Sequence, residues 1–302
     1  MSVDLYANTF LEGAVVFTLP SNATGAEYRI AVSAPSNTGA SDRRYPLLIV
    51  LDGCMNFGTA VETVRLQAMT GTTMDLVVVG VSTAGSFAQH NLRRLRDYTP
   101  GGMRPDDPVW NASAIGKILL GRFAAARLPL EQAIGGAAAF QSFLSSELLP
   151  ILLERYPIDP NDLGLLGHSA GGAFASHALL TGSPFHKLIM GSFGVEMYGE
   201  TLAALEQVFV KRADRPARRV FSAVGGSELA DPQTRFSMGS GQEMLIRLQK
   251  AAPDSLDLVC QVFADETHGS LMAHLLASGV CLLWPSGKSY LESLPGRMGG
   301  KA

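Results

Sequence analysis

Two stretches of the chain are apolar almost without interruption, PLLIVLDG at 46–53 and LVVVGVS at 76–82. A strand covered on both faces reads this way, because neither of its alternating rows of side chains meets water. Upstream, 14–20 (AVVFTLP) and 26–34 (AEYRIAVSA) read as strands separated by the turn-rich SNATG. The second alternates Tyr28, Ile30 and Val32 and stops at Pro35, as an antiparallel pair at a sheet edge would. Residues 58–69 read as a helix. Residues 136–156 keep a helical period, with Phe140, Phe143, Leu144, Leu148 and Ile151 along one side and a kink expected at Pro150. Further strands at 187–193, 218–226 and 256–264 alternate with helices at 199–211, 240–252 and about 270–282. This alternation predicts an α/β fold: a mostly parallel, twisted sheet with helices on both faces and antiparallel N-terminal edge strands. No internal repeat or low-complexity linker divides the chain, so residues 1–302 read as one domain. The least regular part, 83–135, reads as an insertion or lid over the C-terminal edge of the sheet, where the active sites of such folds lie.

One more apolar run ends differently. In LGLLGHSAGGAFASHALL, Leu163–Leu180, three leucines meet Gly167-His168-Ser169-Ala170-Gly171, and small residues at helical spacing follow. Strand, sharp turn with a serine at its apex, then helix is the context that a G-x-S-x-G nucleophile elbow requires. The flanking glycines are expected to let strand and helix pass without a Cβ between them. Glycine is common here, with 32 residues, but the pattern occurs once.

A serine hydroxyl is a weak nucleophile until a base, oriented by a carboxylate, takes its proton. On this fold the chain order is serine, acid, histidine, each at the C-terminal end of a strand. His168 adjoins the serine and cannot fold back over it, and His177 lies inside the elbow helix. His90 and His186 fall on loops, and His274 on the final helix. His268, in DETHGS directly after the last strand, is left as the base. The acid should follow 218–226, which offers Glu228 first and Asp231 second; a Ser–His dyad without a tight acid stays open. The oxyanion needs two backbone N–H donors. Ala170 supplies one, and Cys54, in the loop after PLLIVLDG, is assigned the other. Asp52, just before it, reads as a structural hydrogen-bonding group within that loop.

Composition narrows the context. With 47% hydrophobic and 17% charged residues, the chain can bury a large core. A net charge of −3 argues against a nucleic-acid or anionic-membrane surface. No apolar run is expected to span a membrane, no signal peptide is visible, and three cysteines suit a reducing compartment, so a cytoplasmic protein is expected. Their spacing excludes a CxxC metal site, and the proposed chemistry calls for no metal or cofactor. Between 93 and 127, Arg93, Arg94, Arg96, Arg104, Lys117, Arg122 and Arg127 outnumber the acids Asp97, Asp106 and Asp107. They could rim a site for an anionic or catecholate substrate. Alternatively, Arg93–Arg96 are structural, pairing with Asp97 and loop carbonyls. Ile118, Leu119, Leu120, Phe123 and Leu128 read either as a pocket for an apolar group or as the lid's own core.

Four stretches, YPLLIVLDG, LRRLRDYTP, GHSAGG and ETHGS, together resemble the putative-esterase branch of the α/β hydrolases, which includes esterase D and the ferric-enterobactin and salmochelin esterases. The likeness runs from about 26 to 280 and is strongest to the siderophore-esterase subgroup. It implies an elbow nucleophile at Ser169, a base at His268 and an oxyanion N–H at Cys54. The expected function is a serine hydrolase that cleaves a small-molecule carboxylic ester or lactone through an acyl-enzyme. An acyltransferase or cyclase would use the same intermediate with another nucleophile. A binding protein on a hydrolase scaffold is the third reading.

Overall fold

The apolar runs form the middle of an eight-stranded sheet. Its strands are β1 (Val15–Pro20), β2 (Glu27–Ser33), β3 (Tyr45–Leu51), β4 (Val77–Thr83), β5 (Ile158–His168), β6 (Lys187–Gly191), β7 (Arg218–Gly225) and β8 (Leu256–Phe263). They lie in the order β1-β2-β4-β3-β5-β6-β7-β8. The structure, a computed structural model, describes residues 11–35, 43–100, 114–199, 201–212, 217–232 and 234–287. From β4 to β8 every neighbour is parallel, and β1 and β2 join the other end antiparallel. The α/β class, its antiparallel edge and its parallel body are as the periodicity implies.

All seven residues of β3 are buried, because helices cover both faces. On one face Leu48 and Val50 join Phe57 and Val61 of α1 (Gly53–Met69), with Leu275 and Trp284 in or just after the last helix. On the other, Leu47, Ile49 and Leu51 join Phe140, Phe143 and Phe174. The alternation hidden in the uninterrupted run is thus an alternation between two cores.

Two local expectations change. Phe87–Tyr98, within the segment expected to be irregular, is a regular helix, α2. Ser86 caps it: its hydroxyl accepts from the Gln89 N–H, and the Gln89 side chain accepts from the Ser86 N–H. A second helix, α3 (Ala114–Ala125), buries Leu119 and Phe123 against Leu95 and Ile134. Residues 101–113, with Arg104, Asp106 and Asp107, lie outside the described residues.

The helical stretch 136–156 divides into α4 (Ala137–Ser142), a π-helical turn (Phe143–Leu148) and α5 (Leu149–Arg155). Pro150 has no N–H for a carbonyl one turn back. The widened turn before it accommodates that loss and keeps Phe143, Leu144 and Leu148 buried. Leu130–Arg155 is long and apolar enough, by composition, to cross a membrane, contrary to expectation. From Phe140 onwards its aromatic and leucine side chains instead belong to the core of the sheet.

Candidate active site

The sheet register brings its chemistry to one edge. His168, the last residue of β5, pairs with Gly191 of β6, and Gly191 pairs with Ala223 of β7. Ser169, Ser192, Glu228 and His268 follow these strands or β8 within a few residues. Beyond the strands, Ser169 N–H donates to Gly191 O at 2.8 Å, and Ser192 N–H donates to Ala223 O at 2.9 Å.

Ser169 sits at φ 59, ψ −125, a strained conformation for a residue with a Cβ, and opens α6 (Ala170–Thr181). The elbow glycines play unequal parts. A Cβ at Gly167 would lie 2.0 Å from Gly171 O, so strand and helix cannot pass with a side chain there. A Cβ at Gly171 would meet nothing nearer than 3.6 Å. The tight helical position is instead Gly172, where a Cβ would come 2.8 Å from Phe193 Cβ. Gly167→Ala should therefore abolish soluble, active protein. Gly171→Ala should keep activity and gain up to about 1 kcal/mol from helix propensity. Expression, melting temperature and turnover of the two variants check this contrast.

His268 follows β8, and its Nδ1–H donates to Glu228 Oε1 at 2.6 Å. That bond keeps the proton on Nδ1 and leaves Nε2 as an acceptor. Glu228 lies on α7 (Gly226–Ala230), the turn after β7, with its side chain 6% exposed against 43% for His268. Its second oxygen accepts from Ser192 Oγ–H at 2.5 Å and from Gly225 N–H at 3.1 Å. Burial alone would raise the Glu228 pKa, but the bonds from His268 and Ser192 hold it below the ordinary carboxylate value. Asp231, the alternative acid, is exposed and is not bonded to His268.

Ser192 was not among the residues expected at the site. It is buried, with φ 36, another non-glycine in the left-handed region. The signal was faint: a Gly-Ser step directly after an apolar strand. Its hydroxyl bond favours the ionised Glu228 carboxylate beside His268. Ser192→Ala should lower kcat about tenfold, with little change in KM, by removing one charge-assisted bond of about 1.5 kcal/mol. Steady-state kinetics would show it.

His168 packs against His268, with ring centroids 4.5 Å apart. Burial, and then the charge on His268, push its pKa down to about 3, so it stays a neutral wall. His90, read from sequence as a loop residue, is buried in α2 and hydrogen-bonded to Asp52.

Of the two N–H groups expected to hold the oxyanion, those of Ala170 and Cys54, the second is engaged within the fold. Ala170 opens α6, and its N–H has no hydrogen-bond partner among the described residues. The Cys54 N–H is already engaged, donating to Ser82 Oγ at 2.6 Å. The preceding N–H, of Gly53, has no partner among the described residues. No hydrogen bond joins the Ser169 hydroxyl to His268 among the described residues. Such links often tighten only when substrate binds.

Two of the three arginines of α2, Arg93 and Arg94, are committed to the fold. Arg93 pairs with Asp97 at 3.2 Å and donates to Thr24 O at 2.7 Å, and Arg94 holds Asp52. Lys117, Arg122 and Arg127 are exposed. Leu119 and Phe123 form a small core of their own, against which Leu120, Leu128 and Ala170 pack, while Ile118 faces outward. No group of three or more His, Cys, Asp or Glu among the described residues could hold a metal ion.

A family model described as Putative esterase matches residues 122–235. Ferri-bacillibactin esterase BesA of Bacillus subtilis (strain 168) is 26% identical over 284 residues, covering 90% of this chain and 90% of that protein. The siderophore enterobactin esterase of Emericella nidulans is 28% identical over 296 residues, covering 91% and 86%. The BES protein from Bacillus cereus has a TM-score of 0.73 at 24% identity, with 92% of this chain and 98% of that one covered. Siderophore hydrolase EstA from Aspergillus nidulans has a TM-score of 0.71 at 21% identity, covering 90% and 94%. At those identities the solved structures speak for the fold, and the two esterases speak for the chemistry. An esterase likeness in sequence across nine-tenths of the chain, over a shared fold, marks this protein as a serine ester hydrolase similar to the putative esterases of the α/β-hydrolase fold.

Proposed function

We propose that Ser169 is the nucleophile, His268 the general base and Glu228 the acid that orients it. The 2.6 Å bond between His268 Nδ1 and Glu228 Oε1 carries this reading. It links two residues chosen separately by strand position, and it leaves Nε2 free to take the Ser169 proton. Attack on the ester carbonyl forms the Ser169 Oγ–C bond and puts charge on the carbonyl oxygen. The Ala170 N–H and the loop Asp52–Cys54 hold that oxygen. His268 returns its proton to the leaving alcohol as the ester C–O bond breaks. Water then enters, His268 takes its proton, and the acid is released with Ser169 restored.

The substrate in this reading is a small-molecule ester of siderophore type. Supporting it, the relatives are described as esterases of ferri-bacillibactin, enterobactin and apo-salmochelin. With Arg93 and Arg94 committed to structure, recognition of an anionic ligand would fall to other groups. The chain acts as one α/β-hydrolase domain, with α3 as part of a lid beside Ala170. A cytoplasmic site of action draws support from the cysteines, since Cys54, Cys260 and Cys281 are all free thiols.

The test is labelling by a fluorophosphonate, followed by peptide mass mapping. The adduct is expected on Ser169 of the wild type and absent from Ser169→Ala. An unlabelled wild type, or equal labelling of the variant, would overturn the assignment. Hydrolysis of enterobactin, compared with simple p-nitrophenyl esters, tests the substrate class.

A further inference from the structure

We infer that Asp52, clamped by Arg94 and His90, is a positioning residue for the oxyanion hole: the clamp holds the Asp52–Cys54 loop against the nucleophile elbow. The inference rests on the reading of Ser169 as the nucleophile.

Asp52 lies between β3 and α1 at φ 53, ψ 44, a left-handed turn made without glycine. Such a conformation persists only where the surroundings over-determine it, and it tends to mark functional sites. Every polar atom of Asp52 is engaged. Oδ1 accepts from Arg94 Nε at 2.7 Å and from His90 Nε2 at 3.0 Å, and Oδ2 accepts from Arg94 Nη2 at 2.6 Å. The backbone N–H donates to Tyr98 Oη at 3.2 Å, and the carbonyl accepts from the N–H groups of Met55 and Asn56 at 2.8 and 3.1 Å. The Thr83 N–H donates to His90 Nδ1 at 3.2 Å, which fixes the tautomer that presents Nε2–H to Asp52. Arg94, His90 and Tyr98 all belong to α2, so one helix grips one residue through its side chain and its main chain.

What that residue controls is the direction of the next N–H groups. Gly53 follows it and is wedged on β4, where a Cβ would lie 2.7 Å from the Gly80 backbone. Cys54 comes next, with its N–H on Ser82. Asp52 also lies beside the elbow: a Cβ on Gly171 would be 3.6 Å from its Oδ2. Burial would raise the Asp52 pKa, but Arg94 and His90 hold it far below the usual carboxylate range, so the clamp stays charged wherever the enzyme works. A buried ion pair is a poor choice for stability alone, since apolar packing often does as well. Its value here is that it fixes a geometry. An oxyanion hole works only if its donors are aimed before the charge develops.

From sequence alone Asp52 reads as a structural group bonded within its own loop. The observed partners lie about forty positions away on α2, at separations of 38 for His90 and 42 for Arg94.

The experiment compares Asp52→Asn and Arg94→Lys with the wild type for kcat, KM and melting temperature. It adds the inhibition constant of an alkyl boronic acid, whose tetrahedral adduct on Ser169 puts an oxygen in the hole. Asp52→Asn should lower kcat by about 10²–10³, the worth of one oxyanion donor, and weaken boronate binding in parallel. KM should change by no more than about threefold, and Ser169 should still take a fluorophosphonate. Arg94→Lys, which keeps the charge and loses the two-pronged geometry, should fall between. If the variants melt lower yet keep wild-type kcat and boronate affinity when folded, the clamp is only an anchor and the inference is overturned. Should Asp52→Asn not fold, Arg94→Lys and His90→Gln carry the same comparison. A wild type that no fluorophosphonate labels would instead sink the Ser169 reading itself.

Discussion

Ser169→Ala is expected to lower kcat by about 10⁶, with KM and the circular-dichroism spectrum close to wild type. The size of the loss follows from the proposed chemistry. Without Oγ no acyl-enzyme forms, and His268 can only activate water, held less well than a tethered hydroxyl. What survives is rate enhancement from binding and the oxyanion donors. Single-turnover assays at saturating ester would measure it, and a loss below about 10² would mean that another group is the nucleophile. The same position allows a stability test. Alanine keeps the strained φ of 59, whereas glycine accepts it. Ser169→Gly should therefore be more stable than Ser169→Ala by about 1 kcal/mol, at equal loss of activity. Equal stability of the two would mean that the elbow stores no strain.

Glu228→Gln should cost about 10⁴ in kcat, though it changes a single atom. Two donors, Ser192 Oγ–H and Gly225 N–H, converge on Oε2 and need an acceptor there. Glutamine satisfies them only by turning its carbonyl towards them, which points its NH₂ at His268 Nδ1. The imidazole then carries its proton on Nε2, facing Ser169, and can no longer accept one. Glu228→Ala should be less active than wild type but better than Glu228→Gln, since it leaves the histidine free to choose its tautomer. A larger loss in Glu228→Ala than in Glu228→Gln would show that charge, not tautomer, dominates. The acid limb of stability should also change. The native Glu228 pKa lies below its ordinary value of 4.5, so the bonded carboxylate stabilises the fold above that pH. The contribution is lost as pH falls through the native value. Glu228→Gln should flatten this limb in urea titrations between pH 5 and lower values.

How far the site could be read ahead depended on the distance over which each feature is decided. The elbow is local: an apolar strand, Gly167-His168-Ser169 and a run of small residues specify strand, turn and helix within about twenty positions. Glu228 and His268 were legible through one rule of chain order applied to strand ends. The helix α2 is hard to read from sequence although Ser86 and Gln89 write its capping box, because its arginine-rich sequence has the polarity of a loop. Which elbow glycine is crowded was not legible either. Gly171 and Gly172 are neighbours in sequence, but only Gly172 meets Phe193.

By itself the sequence determined the α/β class, the antiparallel edge, the turn that exposes Ser169 and the candidates for base and acid, since these follow from hydrophobic period and short-range turn chemistry. Tertiary structure decided the rest. It joined Ser192 to Glu228 across 36 positions and Arg94 to Asp52 across 42, and it turned the Cys54 N–H towards Ser82. The reason is physical. Burial makes each of these polar groups find a partner, and the partner is whichever group the sheet register and helix packing bring within about 3 Å. No local pattern encodes that choice.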